Sequence, residues 1–138
     1  MGNGNGVNGA LVNSSALFEV DEPTFGARLT DTGGDIAIVL SGTADVVAQP
    51  HLEGLFRQVD VAALGSQAKR VRLDIRDLVF MSSSCFKQVV LWVQRILNLQ
   101  PESRYQVVFL SALAQAWQAR SLKTLTHFAQ DVVSVEKS

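Results

Sequence analysis

The sequence has few of the features that mark secreted, membrane or nucleic-acid-binding proteins. Its 138 residues include one cysteine, so the chain cannot close an internal disulfide, which favours a reducing compartment. No apolar run approaches the roughly 20 residues of a membrane helix, and the N-terminus lacks the basic start and apolar core of a signal peptide. The net charge of -1 gives no reason to expect nucleic acid or an anionic membrane as a partner. We therefore expect a soluble, cytoplasmic protein.

Patterns that carry catalysis or metal binding are also scarce. The chain has no Gly-rich phosphate loop, catalytic triad or paired-carboxylate signature, so we predict neither an enzyme nor a cofactor site. His51 and His127 are far apart in sequence and lack metal-ligand spacing, so we expect no metal site. Asp45 and Asp74 either form a pair of acids or act as turn and capping residues, which is the usual role of aspartates at strand ends.

The chain does contain enough apolar residues for a core. Its hydrophobic fraction of 47% is ordinary for a globular protein, and its length suits one domain of about 100–150 residues. Residues 1–15 are rich in glycine and asparagine and have little apolar surface to bury. We interpret 1–15 as a flexible leader and 16–138 as a single domain.

Strand-like and helix-like segments alternate along this domain. Helical periodicity follows Pro50, where Gly65 would end the helix in a left-handed conformation, and it returns over 86–97 and, less regularly, 113–125. Alternation of this kind predicts a sheet with helices packed on it and parallel strand pairs inside it. The predicted strands cover 17–20, 25–29, 36–40, 71–75, 105–110 and 132–135.

The stretch from Val71 to Leu99 is the most informative part of the chain. Val71–Ile75 fits a buried strand, residues 76–84 form a turn that ends in three serines, and Phe86–Leu97 fits an amphipathic helix. Serine is a preferred cap for the unpaired N–H groups at a helix N-terminus, and the same place suits an anion, including a phosphate on one of those serines. The side chains expected to face the core are Phe86, Val89, Val90, Val93 and Leu97, with Trp92 at the flank of this stripe.

Three motifs, in this order and spacing, resemble STAS domains, the fold of bacterial anti-sigma factor antagonists. Gly42-Thr43-Ala44-Asp45 stands where that family commonly has Gly-x-x-Asp after a strand. A strand and apolar loop follow, and Ser82-Ser83-Ser84-Cys85 falls where the family usually reads Asp-Ser-Ser-Gly. The resemblance covers about residues 17–135 and implies an α/β fold, a mixed β-sheet with helices packed on one face.

The resemblance implies a non-enzymatic regulator of transcription that acts by phosphorylation-controlled partner switching. A partner that is both anti-sigma factor and serine kinase would phosphorylate the motif and so lose binding, and a phosphatase would restore it. By position the phosphoacceptor is Ser83, with Ser82 and Ser84 as alternatives, and Lys87 one turn on would pair with the phosphate. The implied partner surface comprises Asp45, Leu78, Met81, Ser82, Ser83, Ser84, Cys85 and Lys87.

Departures from the motif keep other interpretations open. Ser82 replaces the usual acid, Cys85 adds a side chain where two proteins would approach, and Lys87 stands where a small residue is common. The alternative function is therefore a STAS-type scaffold or ligand-sensing domain, self-associating or ligand-binding, without serine phosphorylation. The serines are then only a helix cap and loop polars. Cys85 is either a reactive thiol at a helix N-terminus or a small, semi-buried residue.

Overall fold

The computed structural model describes residues 16–66 and 68–138, so the predicted leader, 1–15, lies outside the described residues. Within these ranges no helix is long and apolar enough to cross a membrane. A single turn of 3-10 helix over Pro101–Ser103 follows the second α-helix. The main elements are β1 (Ala16–Asp21), β2 (Phe25–Asp31), β3 (Ile36–Ala44), α1 (Gln49–Ser66), β4 (Arg70–Met81), α2 (Ser83–Leu97), β5 (Gln106–Ser111), α3 (Ala116–Phe128) and β6 (Val133–Lys137).

The strands form one mixed sheet in the order β1-β2-β3-β4-β5-β6. β1, β2 and β3 pair antiparallel, whereas β3 to β6 pair parallel, with one helix in each parallel crossover. Burial alternates along the strands: Ile36, Ile38 and Leu40 of β3 are buried, while Val39 between them is exposed. Alternation places the apolar side chains on the face that the helices cover. The predicted mixed sheet with helices on one face is confirmed.

The core between the sheet and the helices is centred on an aromatic pair. Trp92 is fully buried, and its indole stacks on Phe56 of α1 with ring centroids 4.4 Å apart. Placing Trp92 at the flank of the α2 stripe was wrong, because the helix turns this large side chain inward towards α1. Val89 and Val93 are buried as predicted, whereas the half-buried members of the predicted stripe, which pack against the edge of the core, are Phe86, Val90 and Leu97.

A chain of polar groups joins this aromatic pair to the surface. The Trp92 Nε1–H donates to the Tyr105 hydroxyl at 2.8 Å, which donates to Asp60 at 2.8 Å. Arg95 donates to the other carboxylate oxygen of Asp60 at 2.9 Å. Burial, reinforced by the neighbouring Asp60 carboxylate, raises the pKa of the Tyr105 hydroxyl well above its ordinary value. The network fixes α1, α2 and the start of β5 relative to one another.

Several boundaries differ from the sequence prediction. β4 does not stop at Ile75 but continues to Met81, because β3 pairs beside it up to Ala44. Gly65 lies in the last turn of α1, and the described glycines with positive φ do not include it. Leu113, predicted to start the third helix stripe, is 73% exposed in the loop before α3.

Gly42 allows β3 to pass close to the loop between β1 and β2. Its φ is +83°, a conformation that favours glycine, and a Cβ built there would overlap the carbonyl oxygen of Thr24. The adjacent Thr43 N–H donates to that same carbonyl at 2.7 Å. Gly33, in the β2–β3 turn, has a φ of +93°, but a Cβ added there would have no atom of the described residues within 4 Å.

Replacing Gly42 by alanine should therefore cost more stability than replacing Gly33. Gly33→Ala bears only the left-handed strain, about 1–2 kcal/mol. Gly42→Ala adds the displacement of the Thr24 carbonyl, for a total of about 3 kcal/mol or more. Urea denaturation of both variants measures the difference. Equal losses of unfolding free energy in the two variants would mean that the close approach at Gly42 adds no constraint beyond its backbone conformation.

Tyr105→Phe should destabilise the fold by about 1–3 kcal/mol near neutral pH, because it leaves the buried Trp92 N–H without an acceptor. Tyr105 is the chain's single tyrosine. Its raised folded-state pKa means that only the unfolded chain loses this proton above about pH 10. The free energy of unfolding of the wild type should then fall as the pH rises further. The difference in this free energy between wild type and Tyr105→Phe should therefore become smaller. Urea denaturation at about pH 8 and above pH 10 tests both points, and a gap that stays constant or widens would contradict them.

Candidate functional site

The ends of β3 and β4 meet the start of α2 at the carboxyl edge of the parallel strands. The Ser82 N–H donates to the Ala44 carbonyl at 2.8 Å, and the Cys85 thiol donates to the Asp45 carbonyl at 3.0 Å. These two bonds attach the first turn of α2 to the end of β3. The serine cluster is therefore attached to the backbone at the end of β3 through Ser82 at its start and through Cys85, the residue that follows it.

The three serines occupy different environments. Ser82 is the N-cap of α2: its Oγ accepts from the Cys85 N–H at 3.3 Å and lies 3.1 Å from the Ser84 Oγ. Ser83 is the first helical residue and is exposed, and its hydroxyl makes no hydrogen bond to any described residue. The sequence predicted a serine cap; the structure assigns that role to Ser82 and leaves the Ser83 hydroxyl without a hydrogen bond to residues 16–66 and 68–138.

Cys85 and Leu78 are corrections to the predicted partner surface. Both side chains are fully buried, so neither is available to a partner. Burial raises the pKa of the Cys85 thiol, against the opposing effect of hydrogen bonds with Ser82 and Ser84. The geometry therefore favours the small, buried residue over the reactive thiol. It also means that the cysteine in place of the motif's glycine adds nothing to the outer surface.

Sequence analysis left open whether Asp45 and Asp74 form a pair of acids. In the structure they lie apart and have separate partners. Asp45 accepts the Val47 N–H at 3.1 Å, as in a turn. The carboxylate of Asp74 binds the Arg76 guanidinium at 2.8 and 3.0 Å, which holds the pKa of Asp74 below its usual range. Asp74 lies opposite Val39 in the β3–β4 register, well before Asp45. They do not form an acidic pair.

The histidines lie on different helices, His51 in the first turn of α1 and His127 in the last turn of α3. Across 16–66 and 68–138, no three His, Cys, Asp or Glu side chains come close enough together to hold a metal ion.

Exposed apolar side chains lie at the same edge of the sheet as the serine cluster. They stand at the ends of β3, β4 and β5, and parallel strands bring their carboxyl ends to one edge of a sheet. Contiguous exposed apolar surface is typical of an interaction site. Sequence analysis singled out only the β4 part of it, through the apolar loop, and Met81 there is half-buried. We call the following five residues the strand-end surface: Val46, Val47, Val79, Phe80 and Leu113.

Gln118 of α3 supports this surface from beneath, a role that sequence analysis missed. β5 stops pairing with β4 at Asp74, so no strand of the described ranges lies on that side of the rest of β4. The fully buried Gln118 amide takes its place: Nε2 donates to the carbonyls of Ile75 at 2.6 Å and Leu78 at 2.9 Å, while Oε1 accepts the Ala112 N–H at 3.0 Å. No periodic signal marks one glutamine among the polar residues of a helix as buried.

The cap assignment predicts unequal effects of two serine substitutions. Ser82→Ala removes the acceptor of the Cys85 N–H and should lower the free energy of unfolding by about 0.5–2 kcal/mol. Ser83→Ala removes an exposed hydroxyl with no partner among the described residues and should stay within about 0.5 kcal/mol of wild type. Chemical denaturation of both variants is the measurement. A larger loss for Ser83→Ala than for Ser82→Ala would show that the cap is misassigned.

Comparison with known proteins identifies the fold. No protein-family model and no curated protein sequence matches this chain. Among solved structures, it is similar to the crystal structure of an anti-sigma factor antagonist from Mycobacterium paratuberculosis, with a TM-score of 0.56 and 18% sequence identity. The match covers 79% of this chain and 86% of that chain. The chain thus has the STAS-like fold of that antagonist.

Proposed function

We propose that this protein is a non-enzymatic regulatory module of the anti-sigma factor antagonist kind, which changes partners when Ser83 is phosphorylated. The observation that carries the proposal is the position of Ser83 at the N-terminus of α2, at the same edge of the sheet as the strand-end surface: the residue is exposed, and its hydroxyl makes no hydrogen bond to the described part of the chain. The proposed partner is an anti-sigma factor that is also a serine kinase, and a separate phosphatase reverses the reaction. The proposed setting is the cytoplasm.

The fold tolerates a phosphate at this place. A phosphoserine adds about -1.5 to -2 charges, and the unpaired N–H groups and dipole of a helix N-terminus attract an anion. The first turn of α2 contains no acidic residue to oppose it. Lys87 is exposed one turn further along the helix and supplies a cation. Phosphorylation therefore leaves the domain folded and alters what its surface presents.

The phosphate acts on the interface through charge and bulk. A partner that covers the strand-end surface removes water from Ser83 and from apolar neighbours such as Phe80. Burying a charge without a matched partner costs several kcal/mol per ion, roughly, which is enough to release an ordinary regulatory complex. Removal of the phosphate restores the apolar contact. Of the residues assigned to this surface from sequence, Asp45, Met81, Ser83, Ser84 and Lys87 stay in the proposal with the half-buried Ser82.

The substituted motif is compatible with this switch. Ser82 fills the place of the usual acid as N-cap, and serine and aspartate cap helices about equally well. Ser82→Asp therefore restores the acidic residue without loss of the cap, and we expect it to assist phosphorylation of Ser83.

Ser83→Asp should weaken partner binding, while Ser83→Ala should bind but no longer respond to the kinase. Stability of Ser83→Asp should hold or rise by about 0.3–1 kcal/mol, because the added charge lies at a helix N-terminus. The measurement is phosphosite mapping by mass spectrometry, followed by calorimetry of each variant with the partner captured from the source cell.

Ser103→Asp is the matched control, since it adds the same charge at an exposed position in the 3-10 turn that follows the C-terminal end of α2. It should leave partner binding unchanged. Absence of phosphate from Ser82, Ser83 and Ser84, together with wild-type affinity for Ser83→Asp, would reject the switch.

One observation favours the scaffold or ligand-sensing alternative. A cleft lies between α3 and β6, lined by side chains outside the strand-end surface. A domain that senses a ligand there needs no modified serine, and self-association would then transmit the signal.

A further inference from the structure

The cleft between α3 and β6 has the size and lining of a small-molecule site. Its volume is about 680 Å³, within the range of roughly 300–1,000 Å³ that such sites occupy. Apolar side chains from both elements form much of its lining, including Leu122 of α3 and Val133 and Val135 of β6.

The charged and ionisable residues of the lining are all basic. Lys123 and His127 approach from α3 and Lys137 from β6, and the lining contains no acidic residue. None of the three makes an ion pair with a described residue. The nearby Glu136 alternates to the other face of the sheet, where it lies 3.7 Å from Arg72. The cleft therefore attracts anions although the chain as a whole carries a net charge of -1.

Ser111 adds a hydroxyl to the lining of the cleft. It is only 4% exposed and lies on the helix-covered face of β5, two residues after the buried Phe109. Its hydroxyl makes no hydrogen bond to any described residue. The hydroxyl of Thr126, which lines the cleft from α3, instead donates to the Leu122 carbonyl at 2.7 Å. Ser111 lines the cleft, and its hydroxyl is therefore available to a group that binds there.

The strand register brings Ser111 and Lys137 to the same end of the cleft. They are paired residues of β5 and β6, so their side chains share a face of the sheet about 5 Å apart at the backbone. An ammonium group and a free hydroxyl together match a carboxylate, which accepts from both. From that end the apolar floor continues along Val135 and Val133.

We propose that this cleft binds an amphipathic organic anion, a monocarboxylate with an aliphatic or aromatic body. The carboxylate accepts hydrogen bonds from Ser111 and Lys137, and the apolar body lies on Leu122, Val133 and Val135. Binding here does not require Ser83 to be phosphorylated, because none of these residues belongs to the serine cluster or the strand-end surface.

The experiment uses the full chain, labelled with ¹⁵N, and sodium decanoate below its micelle concentration as the probe. Decanoate should give saturable shifts of the backbone amides around Ser111 and along β6. Decanol, which lacks the charge, should bind about tenfold more weakly, and inorganic phosphate, which lacks the apolar body, should not saturate.

Two variants test the head-group assignment. Lys137→Gln should weaken decanoate binding about tenfold and leave decanol binding unchanged, and Ser111→Ala should weaken decanoate binding severalfold. Lys69→Gln removes the same charge at an exposed position before β4 and should leave binding unchanged. The amide spectrum of each free variant verifies that it is folded. Decanol binding as tightly as decanoate, shifts confined to the strand-end surface, or an unaffected Lys137→Gln would each overturn the proposal.

Discussion

The close approach of Gly42 to the Thr24 carbonyl is the constraint on which the candidate site depends. A side chain at this position would push β3 away from the β1–β2 loop just before its last residues. Those residues pair with the end of β4, the Ala44 carbonyl accepts the Ser82 N–H, and the carbonyl of the next residue, Asp45, accepts the Cys85 thiol. This backbone contact therefore helps to position the end of β3, to which the first turn of α2 is attached.

The sequence was sufficient for the class and order of the elements, because apolar periodicity directly reports which faces are buried. It was insufficient wherever an element depends on its neighbour. β4 continues past Ile75 because β3 lies beside it, and nothing in the polar Arg76-Asp77 pair signals a strand. Trp92 looked peripheral on the α2 stripe alone, but the facing Phe56 makes it central. These errors arise from pairing and packing, which a one-dimensional pattern does not contain.

The candidate site divides in the same way. A serine cap at the start of α2 was predictable from residue type, since few residues cap a helix well. Whether Ser82, Ser83 or Ser84 caps depends on the exact entry of the chain into the helix, and the burial of Cys85 depends on Asp45 forty residues earlier. Nothing in the sequence marked Gln118 or Ser111. Gln118 matters because β5 leaves the carbonyls at the end of β4 unpaired, and Ser111 matters because it lines the cleft beside β6.

The order of strands in the sheet equals their order in the chain, and this has a consequence for folding. Every strand pairs only with the strands just before and after it, so no segment must wait for a distant one before it can dock. Each strand then closes only a short loop when it docks, so the loss of chain entropy at each step is small. The mean sequence separation of contacting residues stays low for a sheet with parallel pairs. A chain emerging from the ribosome can add β4, β5 and β6 in turn to an existing β1–β3 meander. The basic cleft, formed by α3 and β6, is then the last part to appear.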